Sequence, residues 1–148
     1  DLNGDTHLDM IATADGTVRI YFGNGVNAYT STSNVITGAG AHVAECTAIG
    51  DIDGDGDADL FTSYWNTAKV TVSRNNGAGV FTVTDYALPV GRTQNEVCKV
   101  ADMDLDGYVD FVVASNSANA ATVLYSTGAT GALDVAAPAT LPFSEDME

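Results

Sequence analysis

A nine-residue acidic pattern occurs three times at a nearly constant spacing, and it constrains this chain more than any other feature. Asp1-Leu2-Asn3-Gly4-Asp5-Thr6-His7-Leu8-Asp9 returns as Asp51-Ile52-Asp53-Gly54-Asp55-Gly56-Asp57-Ala58-Asp59 and again as Asp102-Met103-Asp104-Leu105-Asp106-Gly107-Tyr108-Val109-Asp110, at offsets of 50 and then 51 residues. A period in this range marks a repeat architecture, in which each unit buries its apolar face against its neighbours. Each copy runs into a short apolar segment: Met10-Ile11-Ala12, Leu60-Phe61-Thr62 and Phe111-Val112-Val113-Ala114. Alternating β-branched and aromatic runs follow, such as Thr17–Phe22, Lys69–Ser73 and Ala121–Tyr125, which is the strand signature. Glycine turns then come at matched offsets, at 23–25, 75–79 and 127–131. Another strand follows each turn, clearest in Val80–Val83, and one more precedes the next acidic copy, as in Ala44–Ile49.

Four short strands per repeat and no helical period predict an all-β chain. The architecture expected is a partial β-propeller of about three four-stranded antiparallel blades, each with one acidic loop. A β-sandwich or a solenoid of similar strand content is the alternative. At 148 residues and 45% apolar composition the chain has material for one core region. The repeats occupy residues 1–138, with loops at 1–9, 51–59 and 102–110, and residues 139–148 form a linker or the start of a following module. The tail Leu141–Glu148 falls where a fourth loop is due but lacks the pattern; it resembles the opening of a jelly-roll module. Rings of blades close with four to eight members, so three blades need further blades or other copies associated head to tail.

Charge narrows the function. Twenty Asp and Glu against five Lys and Arg give a formal charge of −15, which repels phosphate backbones and anionic membrane surfaces. No segment is long and apolar enough to insert into a membrane as a helix. Twelve of the carboxylates fall within the three loops, a concentration that points to cations. Calcium takes six to eight oxygen ligands, and alternating Asp or Asn in a tight loop turns several oxygens toward one centre, whereas magnesium demands a smaller octahedron and keeps more water. Positions 1, 3, 5 and 9 supply Asp1, Asn3, Asp5 and Asp9, then Asp51, Asp53, Asp55 and Asp59, then Asp102, Asp104, Asp106 and Asp110. Position 7 contributes a backbone carbonyl, which His7, Asp57 and Tyr108 provide equally well. Up to three calcium ions are therefore expected. An EF-hand is excluded, because its bidentate Glu at position 12 is replaced by Ala12, Thr62 and Val113.

The run Asp-x-Asp-x-Asp-Gly-x-x-Asp before an apolar strand resembles the calcium loop of FG-GAP repeats, also described as VCBS repeats. Phe22-Gly23 before a glycine turn agrees with this, and Asn75-Asn76-Gly77-Ala78-Gly79-Val80-Phe81 is similar to the Asn-Gly-x-Gly-x-Phe turn of VCBS members. The resemblance covers the chain to about residue 138 and implies an integrin-like β-propeller, calcium in the loops, and extracellular adhesion or carbohydrate-associated roles. Two positions depart from the pattern. Thr6 stands where the other loops have Gly56 and Gly107, and Leu105 stands where they have Gly4 and Gly54. A β-branched residue resists the positive φ of such a turn, so the first site, which also carries Asn3 for a carboxylate, is expected to be the weakest.

The remaining residues divide between functional and ordinary readings. Cys46 and Cys98 lie five and four residues before their loops and form either one disulfide or two buried thiols. His7 and His42 have no triad or paired-carboxylate surroundings, and they read as loop residues. Trp65, beside Tyr64 and Asn66, is either a sugar-stacking platform or a packing residue between blades. Thr30–Ser33 reads as a polar loop, with O-glycosylation as the alternative. A calcium-stiffened structural or adhesive module of a secreted or cell-surface protein comes first, a carbohydrate-binding propeller module second, and an enzyme last, with further blades, other copies, glycans or extracellular proteins as partners.

Overall fold

Eleven strands form in the computed structural model, which describes residues 1–14, 17–36, 43–128 and 132–134. The expectations for His42 and for residues 135–148 fall outside that range. The first sheet contains β1 (Met10–Ala14), β2 (Thr17–Gly23) and β3 (Tyr29–Ile36), in that order. The second contains β4 (Ala44–Gly50), β5 (Asp59–Tyr64), β6 (Lys69–Asn75) and β7 (Phe81–Ala87). The third contains β8 (Asn95–Ala101), β9 (Asp110–Ser115), β10 (Ala120–Ser126) and the short β11 (Leu133–Asp134). All pairings are antiparallel between chain neighbours, so each repeat is a meander. Among the described residues the first sheet has no counterpart of β4 and β8. A 3₁₀ turn, η1 (Asn116–Ala118), links β9 to β10.

The pleat explains how one sheet serves two cores. Successive side chains of a strand point to opposite faces, and in β5 the adjacent residues Leu60 and Phe61 are both fully buried but in different clusters. Leu60 joins Leu2, Val18, Ile20, Ala44 and Tyr64, which pack the second sheet against the first. Phe61 joins Ile52, Val70, Val72, Phe111 and Leu124, which pack it against the third. The Phe61 and Phe111 rings meet at 5.1 Å between centroids, tilted by 38°, a favourable offset geometry. Flanked by strands on both edges and by sheets on both faces, β5 is buried along its whole length.

Two register details repeat. A bulge interrupts the pairing of β4 with β5 between Ala44 and Cys46, and another interrupts β8 with β9 between Asn95 and Val97. Beyond the bulges, Cys46 pairs with Ser63 and Cys98 with Val113, which sit four and three residues after their loop aspartates Asp59 and Asp110. The one-residue difference turns the cysteines to opposite faces of their own sheets, and those faces meet. Cys46 and Cys98 are bonded, with Cα atoms 5.8 Å apart, joining β4 to β8. Thr30–Ser33 does not form a polar loop: it lies within β3, paired to β2. Threonine favours strands, and β2 offers an unpaired edge that outweighs the polarity of the segment.

Candidate metal centre

The three acidic loops occupy one end of the sheets and fold in the same way. The position-1 carboxylate collects backbone N–H groups of the turn: Gly4 N and Thr6 N donate to Asp1 at 2.8 and 2.7 Å, Gly54 N and Gly56 N to Asp51 at 2.8 and 3.0 Å, and Asp106 N and Gly107 N to Asp102 at 3.2 and 3.0 Å. The position-5 carboxylate accepts from the N–H of position 7 at 2.8, 2.9 and 2.9 Å in the three loops. Such a wrap needs left-handed backbone at positions 4 and 6. Gly54 and Gly56 supply it in the second loop, with φ of 76° and 92°. Thr6 at 71° and Leu105 at 64° are forced into the same region.

Position 9 ties each loop to its sheet. One oxygen of Asp9, Asp59 or Asp110 accepts from the position-2 N–H at 2.6, 2.9 or 2.7 Å. The other accepts from the last residue of the repeat's next strand, Gly23, Asn75 or Ser126, at 2.9, 2.8 and 2.8 Å. Asp59 and Asp110 are fully buried. The side chains of Asn75 and Ser126 then reach across to the preceding repeat, donating to the carbonyls of Leu2 and Ile52 at 2.8 and 3.2 Å. Sequence reasoning missed this clamp, although its signal was present: a polar residue closes the second strand of both the second and third repeats.

The position-7 side chains pack on the glycine turn of their own repeat. A Cβ on Gly25 would lie 2.7 Å from the His7 ring, one on Gly77 2.6 Å from the Asp57 carboxylate, and one on Gly128 3.3 Å from the Tyr108 ring. Three different side chains occupy equivalent places, consistent with a position valued for its backbone.

The loops differ as metal sites. Carboxylate oxygens of Asp51, Asp53 and Asp59 all lie within 4.8 Å of one another, as do those of Asp102, Asp104 and Asp106. Asp55 and Asp57 stand outside the first group and Asp110 outside the second, and Asp1, Asp5 and Asp9 form no such group among the described residues. In the first loop the Asn3 amide instead donates to Asp5 at 3.1 Å. The sharpest feature is in the second loop, where Asp53 Oδ1 is buried with no hydrogen-bond partner. Burial pushes the Asp53 carboxyl up from the ordinary value and the charges of Asp55 and Asp51 add to the effect, against the Asp55 backbone N–H, which lowers it. Burial likewise raises Asp59, and Asp104 is raised by desolvation and by Asp106, Asp110 and Asp102. Asp5 is lowered, chiefly by the His7 N–H. An orphaned carboxylate oxygen among like charges has the donor chemistry that a hard cation satisfies.

Layered antiparallel sheets with one acidic loop at the same end of each define a β-propeller-like repeat protein. The profile of the FG-GAP-like repeat matches residues 1–62 and 51–113, and the chain belongs to that family. Among solved structures it is similar to a lectin of Agrocybe aegerita whose reported structure concerns specific recognition of non-reducing terminal N-acetylglucosamine. That match has a TM-score of 0.62 and 27% identity, and covers 90% of this chain and 35% of the lectin, so the chain spans about a third of that protein. A comparison with curated proteins finds no match.

Proposed function

We propose that the chain is a calcium-binding structural or adhesive module, a set of three β-propeller blades of an extracellular protein, with a binding role and not a catalytic one. The observation that carries this reading is the buried, unpartnered Oδ1 of Asp53, whose carboxylate groups with those of Asp51 and Asp59. Asp51, Asp53, Asp55 and Asp59 would hold one ion together with the Asp57 carbonyl; Asp102, Asp104, Asp106, Asp110 and Tyr108 a second; and Asp1, Asn3, Asp5, Asp9 and His7 a third. Calcium bound there supplies positive charge against twelve clustered carboxylates. Extracellular calcium levels suit loops of moderate affinity. At a hundredfold excess over Kd, binding to the folded state alone stabilises by about 2.7 kcal/mol per site. Thermal melting in calcium and in chelator tests this: the melting temperature should rise with calcium, less so in Asp53→Ala, and an unchanged value across millimolar calcium would overturn the reading. Head-to-tail association of copies, or further blades in a longer chain, would cover the outer sheet faces.

A second reading, glycan binding, is favoured by the likeness to the lectin. Trp65 retains 37% of its surface exposed on the hairpin between β5 and β6. A cleft of about 290 Å³ beside His7, Asn24, Asn27 and Tyr29 offers a second polar-aromatic surface. A glycan-binding screen distinguishes this reading from a purely structural role.

A further inference from the structure

At the end of the sheets opposite the aspartate loops, three connections are laced together around Arg92. The Asn95 amide, fully buried, donates to the carbonyls of Tyr64, Thr67 and Arg92 at 2.9, 3.2 and 3.4 Å, so the Trp65 hairpin and the β7–β8 connection share one clamp. Gln94 N adds a bond of 2.6 Å to the Trp65 carbonyl. From the other side, the Ser117 hydroxyl bonds to the carbonyls of Gly91 and Thr93, the two residues flanking Arg92, at 2.8 and 2.6 Å. This fixes the Arg92 backbone on both flanks.

The Arg92 side chain is only 7% exposed, and its Nη1 is buried without a hydrogen-bond partner. Among the described residues the ion pair found is Lys69–Asp85, at 3.0 Å, and Arg92 takes part in none there. An isolated buried charge is costly unless paired, and a guanidinium presents a planar fork of donors suited to carboxylate and other oxyanions. Arg92 is therefore a cation held on a rigid frame with no carboxylate partner among the described residues. Trp65, on the hairpin held by the same Asn95 clamp, supplies a partly exposed aromatic face of the kind on which sugar rings stack.

We propose that Arg92 receives the oxyanion of an acidic saccharide, a carboxylate or a sulfate group, at this end of the molecule. The saccharide class rests on the glycan-binding reading above, while the oxyanion rests on Arg92 alone.

The test is a titration of the whole chain in calcium, at constant ionic strength, with sodium sulfate, with glucuronate and with N-acetylglucosamine, read by amide and indole NMR shifts. Saturable shifts at residues 91–95 and at the Trp65 indole are expected with sulfate or glucuronate, and the stronger of the two identifies the source of the oxyanion. Arg92→Gln should weaken that binding at least tenfold and Arg92→Lys less. Arg92→Met should melt no lower than the parent when no anion is present, because it removes an unpaired buried charge, whereas a purely structural arginine would melt lower. No saturable shift with either anion, or equal binding by the parent and Arg92→Lys with unchanged contacts, would overturn the proposal; if Arg92→Gln fails to fold, Arg92→Lys decides. Binding of N-acetylglucosamine without either anion would also overturn it and leave the glycan reading standing, and binding of sulfate or glucuronate without N-acetylglucosamine would support it.

Discussion

Single residues set the quality of each acidic loop. The wrap around the position-1 carboxylate requires left-handed backbone twice, and the chain pays in strain at Thr6 and Leu105. A left-handed residue with a Cβ costs about 1–2 kcal/mol, part of which glycine returns through its looser unfolded state. Thr6→Gly and Leu105→Gly are therefore expected to raise unfolding stability by up to about 1 kcal/mol each, read from urea midpoints. Loss of stability in both would contradict the geometry. The strain at Thr6 was legible from the mismatch with Gly56 and Gly107; the burial of Asp53 Oδ1 was not, because it depends on how the loop seats against its sheet. Protonation behaves accordingly. Asp53, Asp59 and Asp104 have carboxyls raised above the ordinary value of 3.8. In the metal-free protein, stability from these groups is present below that value and is lost as pH rises through their higher folded values; Asp5, which is lowered, contributes in the opposite sense. In chelator, stability should therefore decline over the acid range as these three ionise. In calcium the decline should be reversed, since the ion requires ionised ligands. Parallel pH profiles of urea midpoints with and without calcium would contradict this.

At the scale of elements, the bond between β4 and β8 is the strongest local constraint. Cys46 and Cys98 are 52 residues apart, a closure worth about 4 kcal/mol in the chain-entropy account. Replacing both with Ala should cost about 2–4 kcal/mol and lower the melting temperature of the calcium-loaded protein; equal stability would mean that the thiols are not bonded in solution. The strands themselves were readable from alternation and glycine turns: the runs read at 17–22, 44–49, 69–73 and 121–125 fall within β2, β4, β6 and β10. The pairing of the cysteines was not read, because their similar places in consecutive repeats concealed a one-residue offset. That offset decides the outcome: in identical register they would face the same way and could not meet. Thr30–Ser33 failed for a different reason, since local polarity says nothing of the β2 edge that recruits it into β3.

Across the whole molecule, the position-2 residue of each loop records whether a neighbouring sheet lies above it. Leu2 and Ile52 are 4% and 0% exposed, buried in the first and second intersheet cores, whereas Met103 is 51% exposed. Ile52→Ala should cost about 3 kcal/mol, and Met103→Ser no more than about 0.5 kcal/mol in the isolated chain. If further blades or other copies pack on the third repeat, Met103→Ser should instead weaken that association. Light scattering that finds a compact monomer of 15.3 kDa in calcium would count against head-to-tail assembly. The repeated loops and the number of sheets were evident from the period alone, but the unequal burial of three equivalent residues appears only when the sheets are stacked. The central claim is that the acidic loops are calcium sites, and native mass spectrometry addresses it most directly. The folded protein should retain up to three calcium ions, with the second loop's ion lost in Asp53→Ala while the fold persists; a folded protein whose mass is unchanged by calcium would contradict the account.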